Sequence, residues 1–215
     1  HCHGNVVTTE DPGHFDNHSY ADHILLDSSI DHVSWQRSLQ LSRKYPFIFS
    51  CLGFHPLCVH TWDSSMQETF FTLLLREKRV VALGEIGLDY KVTAPLPQQR
   101  DVFQRCLDFA ARHNRVVLIH NRMDPTPAEP FRHHMILDSL DRYLSTYEKV
   151  VFHCFSYSRD LAEKIIARNG YLSFSLNVLR NKKEIHESIK ACPLQNMLLE
   201  TDSPYMRIKG TVSSP

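Results

Sequence analysis

The sequence predicts an α/β fold, a parallel sheet curled into a (β/α)8 TIM-barrel-like architecture, on three observations. Short apolar runs rich in β-branched and aromatic residues recur along the 215 residues. Helical patterns fall between most of them, the strand-helix-strand rhythm of a parallel sheet. Seven such runs, together with whatever strand carries His1, Cys2 and His3, make eight, the barrel number. An open doubly wound sheet fits the same rhythm; the count favours the barrel.

The runs are HILL (23–26), FIFSCLG (47–53), VVAL (80–83), VVLI (116–119), KVVF (149–152), YLSF (171–174) and MLLE (197–200). They are near-continuously apolar, as strands covered on both faces are. Helices are expected over residues 31–45, 64–79 and 97–113, the last with Phe103, Cys106, Leu107, Ala110 and Ala111 on one face. Residues 158–169 carry Leu161, Ala162, Ile165 and Ile166 and stop at Gly170, a residue suited to a left-handed cap. A further helix over 182–192 halts at Pro193. Two stretches read as irregular loops: TTEDPGHFDNHS (8–19), polar and turn-rich, and RMDPTPAEPFRHHM (122–135), whose three prolines forbid a continuous helix. One domain is expected over residues 1–215.

Overall charge advertises no particular class of partner. Lys plus Arg and Asp plus Glu number 24 each, without long like-sign runs, so no global basic field marks a nucleic-acid binder. A polyanionic substrate would need another anchor. Apolar stretches such as residues 70–75 are far shorter than the roughly 20 residues of a membrane span, so no membrane partner is expected. Six cysteines, with no CxxC pair and several inside apolar runs, read as buried reduced thiols and favour an intracellular compartment, cytoplasmic or nuclear.

The residues that end the runs carry the chemistry. LGFH delivers His55, LGE delivers Glu85, LIH delivers His120, VFH delivers His153 and LLETD delivers Asp202. Strand ends of a parallel barrel open on one face, so residues more than a hundred positions apart converge there. Alternation along a strand points His1 and His3 the same way and turns Cys2 to the opposite side. Each feature has a plainer reading. A lone His after an apolar run is more often a hydrogen-bonded core residue, HCH is compatible with a terminal scar, and ETDSP resembles a helix start capped by Asp202 or Ser203. Those readings weaken together, because all the residues share one placement and one chemical type. Four imidazoles and two carboxylates exceed what one ion with open positions uses, so two divalent ions sharing a carboxylate fit better, with Glu85 the natural bridge.

HCH, LGFHP, GEIGLDY, IHNR, HCFS and LLETDSPY stand in the order and rough spacing of the TatD-type metal-dependent deoxyribonucleases, a branch of the amidohydrolase-like barrels, and the chain resembles that family over nearly its whole length. The resemblance implies one ion held by His1, His3, Glu85 and Asp202, and a second held by Glu85, His120 and His153. It implies a hydrolase that cleaves phosphodiester bonds of DNA, expected as a 3′–5′ exonuclease, with two divalent ions (Mg, Mn or Zn) and a water they activate. Glu85 and Asp202 are the catalytic candidates, Asp202 as the general base toward that water. His55 and Arg122 are candidates for substrate phosphate, Arg122 through a bidentate guanidinium. RNA is a further candidate substrate, since the pocket itself does not distinguish the two. Competing readings are a metal-dependent hydrolase of a small ester, amide or lactone on the same fold, and a shortened, non-catalytic form. Against the family pattern, the start of strand 1 and the last helix are expected to be missing, the stretch after Gly4 is less helical, and an exposed apolar edge follows.

Overall fold

In a computed structural model, residues 2–11, 13–16, 20, 22–122, 131–180 and 182–206 are described, apart from the side chains of residues 10 and 131–134. Seven strands, β1 (Leu25–Ser29), β2 (Ile48–Leu52), β3 (Val80–Asp89), β4 (Val116–Arg122), β5 (Val150–Phe152), β6 (Tyr171–Phe174) and β7 (Met197–Leu199), form one sheet in sequential order. Every neighbouring pair is parallel. The helices are α1 (Gly4–Glu10), α2 (His32–Lys44), α3 (Ser64–Arg76), α4 (Leu96–Arg112), α5 (Phe131–Tyr143), α6 (Arg159–Ile166) and α7 (Lys183–Ala191).

The eighth position is held by a single bridge. Cys2 pairs in parallel with Asp27 of β1, its N–H donating to Leu26 O at 3.0 Å while its carbonyl accepts from Ser28 N at 2.8 Å. On its other side the chain meets the segment after β7, where His3 N–H donates to Ser203 O at 2.8 Å. The first and last described segments thus meet through one backbone hydrogen bond, and the seven-stranded parallel sheet curls into the expected TIM-barrel-like architecture. Among the described residues no helix follows β7, and Leu199 is 80% exposed.

Three expectations need correction. The first strand is not 23–26 but Leu25–Ser29, because its C-terminal half, Asp27, Ser28 and Ser29, is polar yet fully inside. Asp27 is kept there by Asn5, whose backbone and side-chain N–H groups donate to it at 3.0 and 3.1 Å. Residues 8–10, read as loop, belong to α1, and residues 131–135, also read as loop, begin α5, whereas residues 12, 17–19 and 123–130 of the two loop readings lie outside the described residues. The third run extends from 83 to Asp89, carrying Glu85 into the strand.

Helix ends follow local chemistry. Asp31 and Ser34 form a reciprocal capping box at α2, and Asp63 and Ser158 cap α3 and α6 through their side chains. The helices cover the sheet through aromatic packing. Trp35 of α2 stacks on Phe70 of α3 at 4.8 Å, both 0% exposed, each burial contributing about 1.5–3 kcal/mol. The indole Nε1–H of Trp35 also donates to Gly53 O at 2.7 Å, which fixes the residue after β2 against β3. Gly53 has to be glycine: a Cβ there would lie 2.1 Å from Glu85 N.

Candidate metal centre

The site is assembled at the C-terminal ends of the strands, around Glu85 in the middle of β3. Its backbone is pressed between two neighbours by glycines. Besides Gly53 on the β2 side, Gly87, at φ +150°, would place a Cβ 1.8 Å from His120 O on the β4 side. The pairing of Gly87 with His120 sets the register that faces Glu85 toward β4. Glu85 is 3% exposed, so each of its oxygens needs a partner.

The two oxygens face different histidines. Oε1 lies 3.1 Å from His3 Nε2, and Oε2 lies 3.1 Å from His153 Nε2 and 3.5 Å from His120 Nδ1. Asp202 Oδ1 stands 3.4 Å from His3 Nε2. Asp202 adopts φ 53°, a left-handed conformation that Asp tolerates. Two donor groups result, His3 with Glu85 and Asp202, and Glu85 with His120 and His153; within each group the ligand atoms lie within 4.8 Å of one another. One carboxylate shared by two clusters of nitrogen and oxygen donors suits a pair of divalent ions.

The outer nitrogen of each imidazole is also engaged, which determines the nitrogen that faces Glu85. His3 Nδ1 is 2.9 Å from Ser28 O and so carries the proton. His120 Nε2 is 3.0 Å from Asp89 Oδ2, and His153 Nδ1 is 3.7 Å from Glu200 Oε1. Histidines held from behind by a carbonyl or carboxylate are oriented as metal ligands usually are. Burial opposes a charge on His3, but the Glu85 and Asp202 carboxylates outweigh it and raise its pKa to about 10. His153 is likewise buried, yet Glu85 and Glu200 raise it well above the ordinary histidine value. The buried carboxylates thus favour positive charge at the centre of the site, a demand that a divalent cation would meet.

In a third group, His55, Asp89 and His120 also bring their ligand atoms within 4.8 Å of one another, and within it His120 Nε2 hydrogen-bonds Asp89. His55 Nδ1 accepts from Leu57 N at 3.0 Å, so the neutral ring presents Nε2–H as a donor. Burial and the neighbouring His120 lower its pKa to about 3. Asp89 is 1% exposed; burial pushes its carboxyl up, but His120, the Lys91 N–H and Arg122 together hold it below the usual range. Arg122 Nη1 lies 3.3 Å from Asp89 Oδ2, with the guanidinium reaching outward.

His3, Glu85, His120, His153 and Asp202 therefore come together as the strand ends suggested, with His55 and Arg122 at the rim. His1 lies outside the described residues. Asp89 and Glu200 were missed by sequence reasoning, although the signal was there: each stands an even number of positions from a named candidate, Asp89 four beyond Glu85 and Glu200 two before Asp202. The cysteines stand apart from this chemistry. All six are free, and burial raises the thiols of Cys58 and Cys154 to about 11.

The sequence model of one family, TatD related DNase, matches residues 1–215. A 3′–5′ ssDNA/RNA exonuclease TatD of Salmonella typhimurium is 29% identical over 195 residues, 89% of this chain and 71% of that protein. An uncharacterized metal-dependent hydrolase, YabD of Bacillus subtilis, is 30% identical over 179 residues, 82% of this chain and 66% of its own length. Among solved structures, YJJV, a TatD homologue from Escherichia coli K12, superposes with a TM-score of 0.83 at 25% identity, covering 98% of this chain and 80% of that one. The chain thus spans about two thirds of the length of these curated relatives. With the strand-end ligands and the whole-length match in agreement, the chain belongs to the TatD-related DNase family.

Proposed function

We propose that the chain is a divalent-metal-dependent nuclease, a single domain that hydrolyses phosphodiester bonds of DNA, and of RNA, from a single-stranded 3′ end. One observation carries this reading: Glu85 divides its two oxygens between two buried donor groups. His3, Glu85 and Asp202, with His1, would hold one ion, and Glu85, His120 and His153 the other. Bound there, a pair of Mg, Mn or Zn ions would neutralise a phosphodiester and bring the pKa of water toward neutrality. This answers how a chain with no net charge engages a polyanion.

The protein's own residues supply the rest. Asp202 Oδ1, beside His3 at the seam, is placed to orient and deprotonate the attacking water. His55 offers its Nε2–H to a phosphate oxygen, and Arg122, steadied on Asp89, offers its guanidinium to another. Polarity and tolerance of RNA rest on the relative named a 3′–5′ ssDNA/RNA exonuclease. An intracellular compartment suits six unpaired thiols, and among the described residues no helix is long and apolar enough to cross a membrane.

Incubating the purified chain with Mg²⁺ or Mn²⁺ and a 5′-labelled single strand should give a ladder that shortens from the 3′ end. Glu85→Gln should abolish it. A folded, metal-loaded chain that leaves the strand intact while hydrolysing a small ester or lactone would overturn the reading.

A further inference from the structure

A cleft of about 340 Å³ opens from His120, His153 and Asp202 and runs outward toward the 3-10 helix Leu176–Arg180 and the start of α7. Arg122, Arg180 and Lys182 line it. The carboxylate of Asp202 lies at its inner end, among the metal-ligand candidates, and the outer wall is cationic.

Arg180 and Lys182 are set apart by their place on the cleft, since some helix-surface cations elsewhere are paired and others, such as Arg76, Arg100 and Arg142, likewise have no acidic partner within 4.0 Å among the described residues. Arg105, Arg112, Arg159 and Arg168 each sit against an Asp or Glu at 2.7 to 3.0 Å. Arg180 and Lys182 are both exposed, and neither has an acidic partner within 4.0 Å among the described residues. The Arg180 guanidinium touches only Met206 Sδ, at 4.0 Å, among those residues. In a chain whose formal charges cancel, two cations left unpaired beside a third form a local positive field. The other mouth of the metal centre shares Arg122 and Tyr205 with the cleft and adds Ile30 and Leu57, the latter more than half exposed. Arg180 and Lys182 thus belong to the cleft alone, and Ile30 and Leu57 to the other mouth alone.

Resting on the nuclease reading, we propose that this cleft is a subsite for the backbone of a single-stranded polynucleotide. Arg180 and Lys182 contact the phosphates next along the strand from the one being cleaved, and the terminal nucleoside faces the mouth that Ile30 and Leu57 line. The ligands themselves are buried, at 9% exposure or less for His3, Glu85, His120, His153 and Asp202, so a strand must enter end-on, and the cations guide the part that remains outside.

The test compares hydrolysis of a dinucleotide, with its one phosphodiester, and a tetranucleotide by the Mn²⁺-loaded wild-type chain and by the double variant Arg180→Glu/Lys182→Glu. The wild type should favour the tetranucleotide in kcat/KM, and the variant should lose that preference by roughly tenfold or more, the scale of a lost charge-assisted contact. The wild-type KM for the tetranucleotide should also rise more steeply with salt, by about 0.7 in log-log slope for each phosphate contact removed. Arg180→Gln/Lys182→Gln, which avoids charge reversal, should show the same loss to a smaller degree. A wild type that cleaves both substrates without length preference, or variants that keep both preference and salt slope, overturn the subsite alone. A wild type that cleaves neither overturns the nuclease reading beneath it.

Discussion

Asp89→Asn tests whether the histidines are aimed from behind. The carboxylate is buried and faces three donors. Oδ2 accepts from His120 Nε2 at 3.0 Å and Arg122 Nη1 at 3.3 Å, and Oδ1 accepts from Lys91 N at 2.8 Å. An amide of the same shape has one oxygen, so its NH2 must oppose a donor in either orientation. With the NH2 toward Lys91, a backbone donor loses its acceptor. With the NH2 toward His120, Nε2 turns acceptor and the proton moves to Nδ1, the nitrogen that faces Glu85 and should bind the ion. Loss of such a supporting partner costs about 10- to 100-fold in metal affinity, on the order of 1.4 to 2.8 kcal/mol. Calorimetric titration of Mn²⁺ into the metal-free chain reads the affinity, and kcat/KM at saturating metal reads what Arg122 loses with its anchor. Asp89→Ala removes the misplaced amide donor, so it should lose no more metal affinity than the asparagine variant. Unchanged affinity in Asp89→Asn, or a markedly worse alanine variant, would show that Asp89 fills space and does not set the tautomer.

Gly53→Ala would put a methyl 2.1 Å from Glu85 N and 2.2 Å from Gly84 C, backbone atoms that cannot yield cheaply. It should lower stability by about 1–3 kcal/mol, the range for overpacked cores, together with metal content; an unchanged melting temperature and stoichiometry would refute the close-approach argument. The metal-free chain should also respond to alkali through His3. Its folded pKa, about 10, lies above the ordinary histidine value of 6.5, so the stability from its charged form is complete below pH 6.5 and fades as pH climbs toward 10. A metal must displace the same proton, so its affinity should rise over that window by about tenfold per pH unit for each proton released. A pH-independent metal affinity would contradict this.

The candidate ligands were legible because a parallel barrel makes strand ends converge whatever their separation in sequence. His120 and His153 needed only an apolar run to precede them. Asp89 and Glu200 were harder to see, because their work is done through other side chains: Asp89 through His120 and Arg122, and Glu200 through His153 and the Cys154 N–H, which donates to it at 2.5 Å. Nothing in a single residue's type distinguishes such a partner from a surface carboxylate. The limits of β1 were misread for a related reason. Periodicity identifies apolar strands, whereas this strand buries Asp27, Ser28 and Ser29 against α1 and the site, and only the tertiary partners of Asp27 make that affordable. The cationic side of the cleft was also hidden, since overall charge balance says nothing about which cations lack partners.

The two donor groups are built by different means. His120 lies in β4 and His153 just after β5, and ladder pairing brings their strands beside Glu85: Gly87 pairs with His120 and Ile119 with Phe152, just before His153. His3 and Asp202 owe their meeting to the closing seam, where one backbone bond runs from His3 to Ser203 and Cys2 holds β1 through a single bridge. Closing the barrel and assembling the first donor group are therefore the same event. A cation shared by His3, Glu85 and Asp202 would tie the first strand, the third and the segment after β7 across the place where the sheet is least extensively paired. The ion that prepares the chemistry would then also complete the fold that positions it.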